Sequence, residues 1–245
     1  MRSLAFLCLI TCMRAAFAAD AHVAVAANFA APAQRLADTF SSASGHKLTL
    51  SSGSTGKFYA QIKSGAPFDV LLSADEETPR RLETEKRAVA GTRFTYAVGR
   101  LALWGAKADV ADEGVLRRGQ FSRLAIANPR LAPYGAAARE ALERLGLWTT
   151  VQGKIVQGEN IAQTFQFVSS GNADLGFVAL SQLRQRQAAA GSFWLVPEAL
   201  HAPLRQDAVL LGRASSNAAA RAFLEYLRTP PARERIREFG YALAP

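Results

Sequence analysis

With 245 residues, 49% of them apolar and 20% charged, the chain is long enough for one large domain or two small ones around a real core, and it is neither fibrous nor low-complexity. Its formal charge of +9 becomes +7 once Arg2 and Arg14 are set aside with the first 18 residues, leaving 27 basic side chains against 20 acidic ones. The arginines are spread along helices rather than interleaved with aromatics, and the chain opens with an export signal, so nucleic acid is not expected as a partner.

Residues 1–18 predict a secretory signal peptide. Arg2 gives a positive start, Leu4 to Met13 an apolar core too short to span a bilayer, and Ala16-Phe17-Ala18 a small-residue cleavage site. Both cysteines, Cys8 and Cys12, lie there, so the mature chain is expected to carry no disulfide and no cysteine metal site. Leu9-Ile10-Thr11-Cys12 is similar to a lipoprotein cleavage box, but Thr11 is a poor residue before the cysteine, and no lipid anchor is expected. No later run reaches about 18 apolar residues, which predicts a soluble mature protein.

His22 to Ala27 reads as a short strand, ended by Asn28-Phe29, and Ala33 to Phe40 as a helix stopped by Gly45. Asn28 is a good N-cap at the turn between them. Leu48 to Asp75 then reads as a βαβ unit: strand, the small polar turn Ser51-Ser52-Gly53-Ser54-Thr55-Gly56, a helix carrying Phe58 and Ile62, and a short apolar strand from Phe68 to Leu72. Ser54 and Thr55 fall where an N-cap belongs, and Gly53 and Gly56 let backbone approach a ligand closely. The free N–H groups of a helix start suit an anion. Two such turns on adjacent parallel strands would lie side by side at one sheet edge, which is where open α/β sheets bind ligands.

Two enzyme readings of the second turn compete. Gly53 to Lys57 is too short for a phosphate-binding P-loop, and Phe58 stands where Ser or Thr is required. Ser54-x-x-Lys57 matches the S-x-x-K of serine acyltransferases, but the S-D-N and K-T-G partners are absent downstream.

Asp75 to Ala88 is expected as a charged helix. Phe94 to Trp104 is expected as one long strand that carries the chain out of the first lobe. Ser122 to Ala127 is a strand, Asn128-Pro129 and Ala132 to Gly135 a loop, and Ala136 to Leu145 a helix with Tyr134 just before it. Lys154 to Val156 is a strand, Gly158 to Ala162 a turn into a helix ending near Val168, Leu175 to Leu180 a buried strand, and Ser181 to Ala190 a helix. Leu204 to Leu211 is a strand suited to return to the first lobe. Helices over Ala218 to Leu227 and Ala232 to Phe239, split by Pro230-Pro231, close the chain. His22, His46 and His201 are far apart and form no metal-ligand spacing.

The ordered pieces A-A-N-F, S-S-G-S-T-G-K-F-Y-A-Q-I with G-A-P-F-D-V-L-L-S-A-D, F-T-Y-A-V-G-R-L-A-L-W, N-P with A-P-Y-G, G-E-N-I and A-D-L-G-F-V-A-L-S-Q span the whole mature chain. Together they resemble the periplasmic molybdate-binding proteins of ABC-type molybdate transporters. That resemblance implies a non-enzymatic, two-lobed α/β binding protein of the type II periplasmic class, with mainly parallel sheets flanked by helices. It implies lobe one over 20–98 and 202–245, lobe two over 99–201, and two hinge crossings near 97–100 and 200–204. It also implies a monomer without a cofactor that captures molybdate or tungstate and passes it to a membrane permease; sulfate or another oxyanion is the alternative. By position, the Asn28 side chain and backbone with the Ala27 backbone would bind from the first turn, the Thr55 hydroxyl and N–H with Ser54 adjacent from the second, and Tyr134 and Ile161 from lobe two, these last largely through backbone N–H groups. Asn28, Thr55, Tyr134 and Ile161 would touch the metal only through the oxyanion oxygens. Some relatives place a tyrosine hydroxyl where this chain has Ala179, and Tyr134 is the expected replacement.

Overall fold

The computed structural model describes residues 19–185 and 191–244; the expected signal peptide with Cys8 and Cys12, and residues 186–190 of the helix expected from Ser181, lie outside them. The chain enters through β1 (Asp20–Ala26), whose Val23 to Ala26 are buried, as a central parallel strand requires. A tight 3-10 turn over Ala27–Phe29 leads into α1 (Ala30–Ser44), which stops at Gly45 with φ 74°, a left-handed cap that costs glycine little. Strand β2 (Lys47–Gly53) pairs parallel with β1, and Ala26 faces Gly53 in register, so the two turns that follow are neighbours.

Next come α2 (Thr55–Lys63), β3 (Val70–Leu72) and α3 (Glu77–Thr84). Helix α3 is shorter than the expected run over 75–88. Asp75 stays outside it and accepts the Thr78 N–H at 2.8 Å, and Lys86 turns left-handed at φ 57° soon after its end. The strand expected over 94–104 is broken at Arg100. Its first half is β4 (Phe94–Gly99) in one sheet, and its second half is β5 (Leu101–Gly105) in another.

The second sheet is built from α4 (Gly114–Arg118), β6 (Leu124–Ala127), α5 (Pro133–Arg144), α6 (Trp148–Val151), β7 (Ile155–Gly158), α7 (Ile161–Ser169), β8 (Leu175–Ala179), α8 (Leu180–Gln185) and β9 (Ser192–Leu195). Helices α4 and α6 have 5 and 4 residues, too few for a helical period to register in sequence. Helix α5 starts earlier than expected because Pro133, with φ already set for a helix, takes its first position. Tyr134 therefore lies inside the first turn rather than before it. The chain then returns through β10 (Leu204–Leu210) and closes with α9 (Ala218–Arg228) and α10 (Pro230–Glu238). The proline pair opens α10 instead of separating two helices at a distance.

The two sheets repeat one plan, β2-β1-β3-β10-β4 and β7-β6-β8-β5-β9. In each, one strand pairs in parallel on both sides, β1 with β2 and β3, and β6 with β7 and β8. The other half of each sheet is antiparallel, because β10 and β5 are the strands by which the chain changes sheets. Each sheet carries apolar clusters on its faces, Val25, Leu36, Phe40 and Phe223 in the first, and Leu103, Leu124, Leu142 and Phe177 in the second. At the crossings, Gly99 pairs with Leu204, so the two connecting segments lie against each other.

Candidate functional site

Four loops that leave the parallel strands meet between the two sheets. They line one small cavity, partly open to solvent, and its walls include Ala27, Asn28, Ser54, Thr55, Tyr134, Asn160 and Ile161. All six residues expected from the sequence are thus brought together: Ala27, Asn28, Ser54 and Thr55 from the first sheet, Tyr134 and Ile161 from the second. No Lys, Arg, Asp or Glu lines the cavity.

What the walls offer is hydrogen-bond donors. Thr55, Tyr134 and Ile161 occupy the first turns of α2, α5 and α7, where a backbone N–H has no carbonyl of its own helix to bond. In α7 the Asn160 side chain accepts from the Ala162 and Gln163 amides at 2.9 and 3.1 Å, which leaves the Ile161 N–H as the uncapped one. Gln182 holds the next peptide, its Nε2 donating to the Ile161 carbonyl at 3.1 Å. The positive ends of three helix dipoles therefore point into one space.

Hydroxyls add to this. Thr55 Oγ1 accepts the Ala74 N–H at 3.1 Å, so its own proton remains to be given. Ser73 Oγ lies 3.4 Å from the same oxygen and 3.1 Å from Asp75 Oδ1, and the carboxylate draws the serine proton away from Thr55. Ser54 Oγ is buried and has no hydrogen-bond partner among the described residues. A buried hydroxyl without a partner costs free energy, and such a group beside a cavity marks a place where something polar binds. The acyltransferase arrangement is not formed: Lys57 Nζ is 2.7 Å from Glu159 on the other side of the cleft, and Ser54 Oγ has no base.

Two side chains serve otherwise than expected. The Asn28 amide nitrogen donates to Gln206 Oε1 at 2.8 Å and to the Tyr241 hydroxyl at 3.0 Å, so both of its hydrogens are used behind the cavity wall. The Tyr134 hydroxyl oxygen accepts from Gln206 Nε2 at 3.2 Å and abuts Gly99, which ties the side chain to the first sheet, while the backbone N–H of Tyr134 lies in the first turn of α5. Buried polar groups must be paired, and here a network satisfies them. The Asn28 carbonyl accepts from Tyr241 (2.7 Å) and Ser181 (3.0 Å), and the Tyr96 hydroxyl lies 3.0 Å from the Ser73 carbonyl. Burial pushes Tyr96 and Tyr134 well above the usual phenol range and raises Tyr241 too, so these hydroxyls stay neutral. Ala179 is fully buried at the end of β8 and offers no side-chain donor.

Gln206, Tyr96, Tyr241, Ser181 and Asn160 were not singled out from sequence. The one available signal was Gln206-Asp207, two polar residues inside an apolar strand.

Two contacts bridge the mouth of the cleft. The Gly56 N–H donates to the Leu131 carbonyl at 2.9 Å, and Lys57 meets Glu159, each contact joining the two sheets' halves. No group of three or more His, Cys, Asp or Glu that could hold a metal ion occurs among the described residues.

Residues 21–242 match the family model described as bacterial extracellular solute-binding protein. The molybdate-binding protein ModA of Azotobacter vinelandii is 52% identical over 232 residues, covering 94% of this chain and 92% of that protein. Its namesake in Rhodobacter capsulatus is 46% identical, covering 92% and 89%. The solved structure of an Azotobacter vinelandii periplasmic molybdate-binding protein superposes with a TM-score of 0.88 at 39% identity, covering 92% of this chain and all of that one.

Proposed function

The chain belongs to the bacterial extracellular solute-binding proteins and, among them, to the molybdate-binding proteins, and from this premise we propose that it captures molybdate and delivers it to an ABC-type permease. The observation that carries the reading is the uncharged cavity into which three helix starts and two hydroxyls converge. A fully deprotonated tetrahedral dianion offers acceptors only. Each hydrogen bond to it contributes about 1.5–3 kcal/mol, and helix starts add to that without a buried lysine or arginine and its desolvation cost.

The binding set we propose is Ala27, Asn28, Ser54, Thr55, Tyr134 and Ile161, with the hydroxyls of Ser54 and Thr55 and backbone N–H groups of the others reaching the oxyanion oxygens. Molybdenum is held through those oxygens, not ligated directly. Tungstate, with the same charge and shape, binds too. Hydrogen phosphate is rejected because its O–H would face another donor unpaired. The lobes, 20–98 with 202–245 and 99–201, swing about crossings near 97–100 and 200–204. Export by the segment 1–18 puts the mature monomer in the periplasm.

Calorimetric titration of the mature protein with molybdate, tungstate, sulfate and phosphate at neutral pH tests this. One-to-one binding of the first two, with silence from the others, is expected. Binding of sulfate alone would keep the site and overturn the ligand.

A further inference from the structure

Gln206 sits in the middle of β10 with 0% exposure. Its Oε1 accepts from Asn28 Nδ2 at 2.8 Å, and its Nε2 donates to the Tyr134 hydroxyl oxygen at 3.2 Å. The Tyr96 hydroxyl lies 3.1 Å from the same Oε1. Asn28 belongs to the first turn of lobe one, and Tyr134 to α5 in lobe two. A single amide therefore holds one site residue from each side of the cleft.

The surroundings are shaped to let this happen. A Cβ on Gly99, at the first crossing, would stand 2.1 Å from the Tyr134 hydroxyl oxygen and 2.6 Å from Gln206 Nε2, so only glycine there admits both groups. The pairing of β10 with β4 shifts register between Gln206 and Asp207, a bulge at the point where the amide is aimed. Both Asn28 amide hydrogens are engaged within this network, and the Tyr134 hydroxyl oxygen is held by Gln206.

We propose that Gln206 is a positioning residue that makes lobe closure and the setting of the Asn28 turn one event. The inference rests on the oxyanion site proposed above. When the lobes part, Tyr134 leaves with lobe two and the Gln206–Tyr134 bond breaks. The Gln206 amide then has one fewer fixed partner, and the Asn28 amide it steadies is free to turn. Closure restores the chain Tyr134–Gln206–Asn28, and Ser181 of lobe two binds the Asn28 carbonyl at the same time. Part of the binding free energy is thus realised behind the cavity, by residues that never touch the anion.

A double-mutant cycle tests it, with molybdate as the titrant and wild type, Gln206→Met, Tyr134→Phe and the double variant as proteins. Tyr134→Phe keeps the backbone N–H and removes the hydroxyl alone. Each single change is expected to raise Kd about tenfold, and the double variant to bind little worse than Gln206→Met, because the bond that Tyr134→Phe removes is already absent from it. Losses that multiply overturn the coupling. Spin labels at the exposed Gln61 and Gln166 give a second readout that a merely structural role would not move. With saturating molybdate, Gln206→Met should retain a population at the open separation that wild type lacks, and a wild-type distance distribution overturns the proposal. Wild-type protein silent to molybdate overturns the proposed function and this inference together; wild type that binds while Gln206→Met binds equally well overturns only the inference.

Discussion

The Gly56 N–H and the Leu131 carbonyl meet at 2.9 Å across the mouth of the cleft, and a Cβ on Gly56 would stand 3.0 Å from Leu131 Cα and 3.1 Å from Leu131 O. The close approach that this glycine permits is to the opposite lobe rather than to a ligand. Gly56→Ala should therefore act with opposite signs on two measurements. Alanine favours the first turn of α2 by up to about 1 kcal/mol, so the ligand-free protein should melt slightly higher. Closure must push Leu131 aside, so molybdate should bind more weakly, by roughly 1 kcal/mol or more. A variant that binds as tightly as wild type would show that the closed contact contributes nothing to retention.

Lys57 and Glu159 form the other cross-cleft contact, but their side chains are 45% and 65% exposed. Exposed pairs are screened, and such a pair contributes about 0.2–1 kcal/mol. Lys57→Met should raise the molybdate Kd only a few-fold, and the difference from wild type should fade as salt is raised. Reaction of wild type with an acylating β-lactam probe, lost in Lys57→Met, would revive Ser54 and Lys57 as a catalytic pair.

Most of the scaffold was legible because the sequence spells out its periods. The apolar runs at Val23 to Ala26, Phe68 to Leu72 and Leu175 to Ala179 read as buried strands, and the small polar turn at 51–56 as a helix start. The break at Arg100 was not legible. Phe94 to Trp104 has continuous strand character, and only the partners β10 and β8 decide that one half joins each sheet. The site's backbone donors could be placed from turn chemistry, yet the roles of Asn28 and Tyr134 could not. What their side chains do is set by Gln206 and Tyr241, which are 178 and 213 residues from Asn28 along the chain, a separation no local pattern encodes.

Asp75 gives a pH test. Burial raises its carboxyl above the ordinary 3.8; bonds from Thr78 and Ser73 oppose that, and the nearby Asp207 charge adds to it. The folded chain then holds this proton to higher pH than the unfolded chain does. Its contribution to stability is full below the ordinary carboxyl range and is lost as pH rises through the raised folded value. Asp75→Asn removes that loss. Urea midpoints for variant and wild type should therefore diverge in the variant's favour as pH climbs from about 4 towards neutrality. A constant difference across that window would mean that Asp75 titrates alike in both states.

Ser54 separates the cost of an unpaired group from the use made of it. Its Oγ is buried and unpartnered, whereas Thr55 Oγ1 already accepts the Ala74 N–H. Removing an unpaired buried hydroxyl relieves a desolvation cost, so Ser54→Ala should leave the ligand-free protein as stable as wild type or more so, by up to roughly 1 kcal/mol. The same change removes a donor to a buried dianion and should weaken molybdate binding by about 1–3 kcal/mol. Thr55→Ala should weaken binding comparably but also destabilise the empty protein, because the buried Ala74 N–H loses its acceptor. Thermal melts with and without molybdate read both quantities. The two variants should therefore agree in the liganded shift and differ in the empty one; if Ser54→Ala melts lower when empty and binds normally, its hydroxyl is a structural group and the oxyanion is held by Thr55 and the helix starts alone.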